Sequence, residues 1–523
     1  MFSMTQMVRR AAQTQPNVLA TVDGDRSQTW PEFAHKIACF ANGLQKLNIG
    51  ANGCVAILAL NSDRYFEFMF ATPWAGAIFQ PINTRLAGPE VVYWLNDSEA
   101  TVLLVDKNFA PMIAEIKDQL QHVKHFVFID DLGEAEELPK GYIAYSEVVD
   151  NEPVADANRC DDDAAGLFYT GGTTGRSKGV ILSHTNFVAN ALQAISVLRV
   201  QEKNRILHVA PMFHIADAFV CMMSTALSCS NYFRPAFDPV STLEALQDHK
   251  IQRLVLVPTM INMLVNHPSI SDYSLESMQC VWYGASPMPE PVIRKAMEVL
   301  PAVDFCQVYG QTEASPGITA LLPERHTFEG PLAGKIKSAG QALPAIDLCI
   351  MDENNREVAN HVIGEICMRG PNMMSGYRNM PEQTANTVVD GWLHTGDGGY
   401  LDDEGFLFIV DRVKDMIISG GENVYSAEVE SALYQHDAVN QCAVIGIPHE
   451  KWGEQVHAVV LLKEGMTADE AVLIAHCKGL IAGFKCPRSI SFQSEPLPLS
   501  GAGKILKTEL RKPFWGDGDR NVN

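Results

Sequence analysis

The stretch Tyr169-Thr-Gly-Gly-Thr-Thr-Gly-Arg-Ser-Lys-Gly-Val180 decides how this chain is read. From Thr170 to Val180 it holds four glycines, three threonines, one serine and two cations, Arg176 and Lys178. The apolar run from Ala164 to Tyr169 leads in, and Val180-Ile-Leu182 leads out. That pattern predicts a strand, a tight polar loop and a second short strand. Glycines let successive backbone N–H groups converge on one point, and such a concavity holds anions. Hydroxyls add donors and the cations add charge, so the natural occupant is a polyphosphate. The common ATPase loop, G-x-x-x-x-G-K-[ST], is not what stands here, because Ser177 precedes Lys178 and Gly179 follows it. A Gly/Ser/Thr-rich surface turn is the plainer alternative.

Around this loop the bulk composition narrows the function. A chain of 523 residues suggests roughly three or four folding units, which large enzymes often merge. With 47% hydrophobic residues it can bury a large core. The net charge of −22 argues against nucleic acid, which needs a basic footprint, and gives no attraction to anionic membranes. The 12 cysteines are scattered singly in apolar contexts without metal-finger spacing, which fits core thiols in a reducing compartment. The basic pair Arg9-Arg10 follows the first apolar residues, the reverse of a signal peptide. The longest apolar region, Phe219 to Leu227, is too short to span a bilayer. A cytoplasmic protein without an integral membrane segment is expected.

Strand and helix patterns alternate through the first 400 or so residues. Val55 to Leu60, Val102 to Val105, His125 to Ile129 and Arg253 to Val257 read as buried strands; Arg64 to Phe79 and Met112 to Leu120 read as helices. The runs ending at Tyr169, Tyr283 and Tyr309 each pass into glycine, at Gly171, Gly284 and Gly310. Such alternation marks an α/β protein with parallel sheets, whose ligands gather at the carboxyl ends of strands. Near Asp411 the texture changes to short strands (443–447, 456–462) and two helices (427–435, 468–478). A small α+β unit is expected there, giving domains 1–412 and 413–523.

Further motifs follow the loop in order. Tyr309-Gly310-Gln311-Thr312-Glu313 ends a strand, and its carboxylate suits Mg²⁺, a hard cation that takes one or two carboxylates plus phosphates. His394-Thr395-Gly396-Asp397 offers a carboxylate that can accept from a ribose diol. Asp411-Arg412-Val413-Lys414-Asp415, Ser419-Gly420-Gly421-Glu422-Asn423 and Gly501-Ala502-Gly503-Lys504 complete the series. Singly, these read equally as a strand-end turn, an Asp-stabilised turn, a solvated charge run and a flexible tail. In this order they resemble the ANL superfamily: acyl- and aryl-CoA synthetases, peptide-synthetase adenylation domains and firefly-type luciferases. The resemblance runs from about residue 25 to 515.

The resemblance implies a large N-terminal domain of layered α/β sheets with a small β-barrel-like part, followed by a small mobile α+β domain. It implies an ATP-dependent ligase that adenylates a carboxylic acid, releases pyrophosphate and passes the acyl group to coenzyme A, with Mg²⁺ assisting. By the same resemblance Thr170, Gly171, Gly172, Thr173, Thr174, Gly175 and Lys178 cradle phosphates, and Gly284, Ala285, Ser286, Tyr309 and Gly310 frame adenine. Thr312 touches the α-phosphate, Glu313 holds Mg²⁺, and Asp397 and Arg412 bind ribose. Lys504 aligns the substrate carboxylate with the α-phosphate. Lys414 is the hinge, and Gly420, Gly421, Phe484, Lys485 and Arg488 serve coenzyme A. Some aryl-CoA ligases carry a further base where this chain has Cys486.

The acyl pocket is the least determined part. Pro211-Met-Phe-His214 matches the segment beside the carboxylate, with His214 as gate or wall and Gly284 and Gly310 nearby. Asp217 is unexpected in an apolar wall: it either reads a polar acyl substituent, points at solvent or pairs with a base. The segments 283–288, 411–423 and 499–510 look most like bacterial fatty-acid or aryl-acid CoA ligases. The alternatives are a stand-alone enzyme loading a carrier protein, a luciferase-like oxidase, and a silent nucleotide-binding protein, the last disfavoured by intact Glu313, Asp397 and Lys504. The expected partner is a small-molecule carboxylic acid, and a homodimer is the oligomer to test.

Overall fold

The computed structural model describes residues 1–131, 137–170, 177–412, 416–419, 422–449, 452–500 and 505–515, with the backbone alone at 411, 412, 418, 422 and 423. Among these, the strands form four sheets. In an eight-stranded sheet Ile78–Pro81, Cys54–Leu58, Val102–Val105, His125–Phe128 and Tyr142–Ala144 run parallel. Ala164–Thr170 lies parallel to Ile78–Pro81 and turns back as Lys178–Ser183, pairing Thr170 with Lys178. The expected strand–loop–strand is therefore a hairpin closing one side of a parallel sheet.

A nine-stranded sheet has a parallel centre that includes Arg205–His208, Arg253–Leu256, Cys280–Gly284 and Asp304–Gly310, with antiparallel strands outside it. Val55 and Phe79 of one sheet and Ile206 and Trp282 of the other belong to one core, shared with the helices Trp30–Lys46, Asp63–Trp74, His184–Leu198 and Ile215–Ala226. All twelve residues of Asp63–Trp74 are buried, as befits a helix between layers. Its start is capped by Ser62, whose Oγ accepts from Tyr65 N at 3.2 Å. The helix following Lys178–Ser183 opens with a reciprocal cap: Asn186 N donates to Ser183 Oγ (3.2 Å) and Ser183 N to Asn186 Oδ1 (2.8 Å).

One sequence expectation needs correcting. The helix expected over 64–79 stops at Trp74, and Ile78–Pro81 is a strand. Gly76, with φ +91°, breaks an apolar run that continues without interruption in side-chain character.

Where a barrel-like part is expected, Asp347–Met351, Gly364–Arg369, Val388–Val389, Trp392–Leu401 and Leu407–Arg412 form a five-stranded antiparallel sheet. The fourth sheet uses only strands from Ile417 onward and packs on Ser426–Tyr434 and Glu470–Lys478. No helix among the described residues is long and apolar enough to cross a membrane. Eleven of the twelve cysteines are buried and all are unbridged. Burial pushes thiols such as Cys54 up to about 12, which leaves them unreactive.

Candidate active site

The carboxyl ends of the two large sheets carry the predicted residues. Thr170 and Lys178 pair at the open end of the hairpin strands, and Gly171 to Gly175, expected to cradle phosphates, lie outside the described residues. Tyr93 Oη donates to Ser177 O at 3.0 Å, so the helix Gly88–Asp97 braces the hairpin's exit. In the other sheet Gly284 pairs with Val308, one strand-width from Gly310. A Cβ on Gly284 would stand 2.1 Å from Val308 O, so close backbone approach demands glycine there. Ala285 follows in the left-handed region (φ +67°) and turns the chain out of the sheet beside Ser286.

Tyr309 and Asp397 meet. Tyr309 Oη donates to Asp397 Oδ2 at 2.8 Å, and both residues are buried. Arg412 stands opposite Asp397 in the antiparallel register. The turn before Asp397 is clamped by Glu365: its Oε1 accepts from Gly396 N (2.9 Å) and its Oε2 pairs with His394 Nδ1 (2.8 Å). The sequence reading missed Glu365, whose only signal is a carboxylate at the start of an otherwise apolar strand.

Glu313 lies in a 3₁₀ turn, Thr312–Ala314, and is buried at 8% exposure. Residues 372–378 stitch this turn to the phosphate hairpin. Asn372 Nδ2 donates to Ala314 O (2.7 Å), Met374 N to Glu313 O (2.8 Å) and Tyr377 Oη to Glu313 Oε1 (2.8 Å). On the hairpin side Ser375 N donates to Ile181 O (3.0 Å) and Arg378 N to Gly179 O (2.7 Å). Lys178 Nζ stands 4.2 Å from the centre of the Tyr377 ring. The sequence reading missed this segment too, because its strand, Gly376–Tyr377, is too short for any period to register.

On the acyl side, His214 precedes the helix Ile215–Ala226, its ring 4.7 Å from that of Phe213. Asp217, an expected pocket residue, is fully buried, and its Oδ2 pairs with His208 Nδ1 at 2.8 Å. Of the three roles open to it, pairing with a base is the observed one. His208 Nε2 also meets Asn231 Oδ1 at 3.0 Å, and its ring stacks on Phe233. Burial opposes charge on His208, but the adjacent Asp217 outweighs it and holds the imidazole pKa above its ordinary value. Removing one member of such a pair leaves the other unpaired in the core, at a cost of about 3–5 kcal/mol. Asp217→Ala is thus expected to lower the thermal midpoint sharply while leaving the order of preference among acids unchanged. A reordered preference would put Asp217 in contact with substrate.

In the small unit Lys485 Nζ donates to both oxygens of Glu428 (2.8 Å each), the Arg488 guanidinium lies 4.5 Å from the Trp452 ring, and Phe484 is 43% exposed. Cys486 is buried, so it offers no surface base. Lys414, Gly420, Gly421 and Lys504 lie outside the described residues. The residues flanking Lys504 are placed: Leu499 bridges Ile505, and Leu506 N donates to Pro498 O at 2.8 Å. Ser500 O accepts from Arg85 Nη1 at 2.7 Å. Arg85 follows the strand Ile78–Pro81, which runs parallel to Ala164–Thr170, so Ser500 lies toward the end of the sheet at which Thr170 stands.

With this geometry in view, the comparisons are decisive. The AMP-binding enzyme profile matches residues 8–378, and the AMP-binding enzyme C-terminal domain matches 428–504. The chain belongs to the AMP-binding enzymes, the ANL superfamily of adenylate-forming enzymes. Among its relatives is a feruloyl-CoA synthase of an Amycolatopsis species, 36% identical over 506 residues, covering 97% of this chain and 98% of that one. A fatty acid–[acyl-carrier-protein] ligase, ScoC, of Streptomyces coeruleorubidus is 31% identical over 525 residues, covering 100% and 98%. The fold matches the crystal structure of the anthranilate CoA ligase AuaEII in complex with anthranoyl-AMP, with TM-score 0.90, 26% identity and coverage of 98% and 97%.

For an AMP-binding enzyme the residues fit the groups the family implies. Glu313 is a buried carboxylate with Oε1 tied to Tyr377, and among the described residues no donor is placed on Oε2. That suits a hard cation shared with phosphate oxygens. The Tyr309–Asp397 pair orients a carboxylate beside the glycine-lined strand ends, as a nucleoside requires.

Proposed function

We propose that this AMP-binding enzyme is an acyl-CoA ligase: it joins a free carboxylic acid, fatty or aryl, to ATP as acyl-AMP with release of pyrophosphate, then transfers the acyl group to coenzyme A. The observation that supports this reading is the contact of Arg85 with Ser500 O, which brings the described segment preceding residue 501 to the sheet end bearing Thr170 and Lys178.

In the first step a substrate carboxylate oxygen attacks the α-phosphate in line, and pyrophosphate leaves with the electron pair of the broken P–O bond. Two anions must be brought together, so catalysis is positioning plus charge neutralisation. Lys178 and the loop 170–175 take the leaving phosphates, and Thr312 donates to the α-phosphate. Mg²⁺, when bound, neutralises phosphate charge from Glu313. Asp397 and Arg412 hold the ribose, and Gly284 to Ser286 with Tyr309 hold adenine. Lys504 lies between carboxylate and α-phosphate, with His214 beside the acid. In the second step the small domain, 413–523, turns about Lys414. Gly420 and Gly421 then admit the pantetheine thiol. The thiol gives up its proton and forms a C–S bond to the acyl carbon, while AMP leaves with the electron pair of the acyl C–O bond. Phe484, Lys485 and Arg488 meet the nucleotide end of coenzyme A. The unbridged cysteines fit a reducing compartment, which we take to be the cytoplasm.

A second reading, loading of an acyl carrier protein, is raised by one observation: Lys485 is paired with Glu428, a contact that a coenzyme A phosphate has to displace and a carrier protein does not. Pyrophosphate release measured across short, medium, long and aromatic acids, with coenzyme A or with a holo carrier protein, separates the two. Turnover with coenzyme A alone is expected. Turnover only with the carrier would move the assignment to the second reading, and none with any acid would overturn both.

A further inference from the structure

Tyr377 stands between the two charged groups that the phosphate site needs, one of them acidic and one basic. Its hydroxyl donates to Glu313 Oε1 at 2.8 Å, and its ring lies 4.2 Å from Lys178 Nζ. Both Tyr377 and Glu313 are buried, so these contacts form away from water and are worth more than at a surface. The residue is fixed by its backbone: Tyr377 pairs with Val180 in the strand that leaves the phosphate loop, and its N–H donates to Thr384 Oγ1 at 2.9 Å. A hydroxyl beside a carboxylate oxygen can only donate to it, so the geometry itself fixes the direction of this bond.

We propose that Tyr377 is a positioning residue that couples the metal carboxylate to the phosphate lysine: its hydroxyl aims Glu313 Oε2 at the cation, and its ring holds the Lys178 ammonium for phosphate. The inference rests on the reading of Glu313 and Lys178 given above. A hydrogen bond from Tyr377 to one carboxylate oxygen removes the rotational freedom that would otherwise let Glu313 turn away from a metal. The aromatic face attracts the ammonium without bringing a counter-charge, so Lys178 is fixed with its field directed at phosphate, a field that an acidic partner would offset. The two halves of the side chain therefore serve two ligands, and they separate by mutation. Tyr377→Phe removes the hydroxyl and keeps the ring, whereas Tyr377→Leu removes both.

The test is calorimetric binding of ATP to the full chain, with and without Mg²⁺. Tyr377→Phe is expected to weaken binding of MgATP about 10-fold and to leave Mg²⁺-free ATP within about twofold, since a hydrogen bond to a charged group is lost. Tyr377→Leu is expected to weaken Mg²⁺-free ATP as well, by about threefold to fivefold, from the lost ring contact. Equal weakening of both forms by Tyr377→Phe, or no effect on either, would overturn the proposal. A double-mutant cycle guards against a merely unfolded variant: in a Glu313→Gln background Tyr377→Phe should add nothing to the loss of MgATP binding. Full additivity would also overturn it. If the unmodified chain bound no ATP at all, the functional reading itself would fall. ATP binding with a silent Tyr377→Phe would sink this inference alone.

Discussion

Lys504→Ala is expected to cut acid-dependent ATP–pyrophosphate exchange about 10²–10³-fold, equivalent to roughly 3–4 kcal/mol of transition-state stabilisation. Thioester formation from supplied acyl-AMP should survive within about threefold on the same grounds. The asymmetry is the informative part. A preorganised ammonium between a carboxylate and an α-phosphate offsets their repulsion only while both are approaching. Once acyl-AMP exists, attack by a thiol needs no such bridge. The described residues on either side of Lys504 are held in place: Leu499 bridges Ile505, and Arg85 donates to Ser500 O at the carboxyl end of the sheet that holds Ala164–Thr170. Equal loss in both half-reactions would count against the assigned role.

Gly310→Ala should be nearly as damaging, for a different reason. A Cβ at Gly310 would stand 1.7 Å from Pro316 O and 2.7 Å from Pro316 C, both backbone atoms that cannot swing aside. The chain folds back there so that Gln311 N donates to Pro316 O at 3.1 Å, enclosing Thr312 and Glu313. Making room requires moving the turn that carries the α-phosphate and metal residues. Overpacking of this kind costs at least about 1–3 kcal/mol, and a displaced Glu313 should lower the rate about 10²-fold or more. Gly334→Ala is the control: a Cβ there meets nothing within 4 Å, and no change is expected. Comparable loss in the two variants, read by thermal melting and pyrophosphate release, would contradict this explanation.

Gly310 also shows how far the sequence could be read. The strand-to-glycine junctions were legible because a buried strand running into glycine marks both a turn and a close approach, and all three ends lie on parallel strands. That Gly284 and Gly310 are required by Val308 O and Pro316 O was not legible, since those oxygens come from other segments. The helix over 64–79 was overrun because Phe79 continues an apolar pattern that Gly76 interrupts only in the backbone. Asp217 looked misplaced because its partner, His208, sits nine positions earlier at the end of a strand, a spacing no helical or strand period brings together. Glu365 and Tyr377 escaped altogether: each acts on residues far away in sequence, and those contacts leave no local pattern.

The account's central claim is that an acid is activated as an enzyme-bound adenylate before any thiol takes part. The most direct measurement is exchange of labelled pyrophosphate into ATP by the unmodified chain, with acid present and coenzyme A withheld. The account predicts acid-dependent exchange without coenzyme A, and AMP as the nucleotide product once coenzyme A is added. Exchange that needs coenzyme A, or turnover that yields ADP and phosphate, would contradict it.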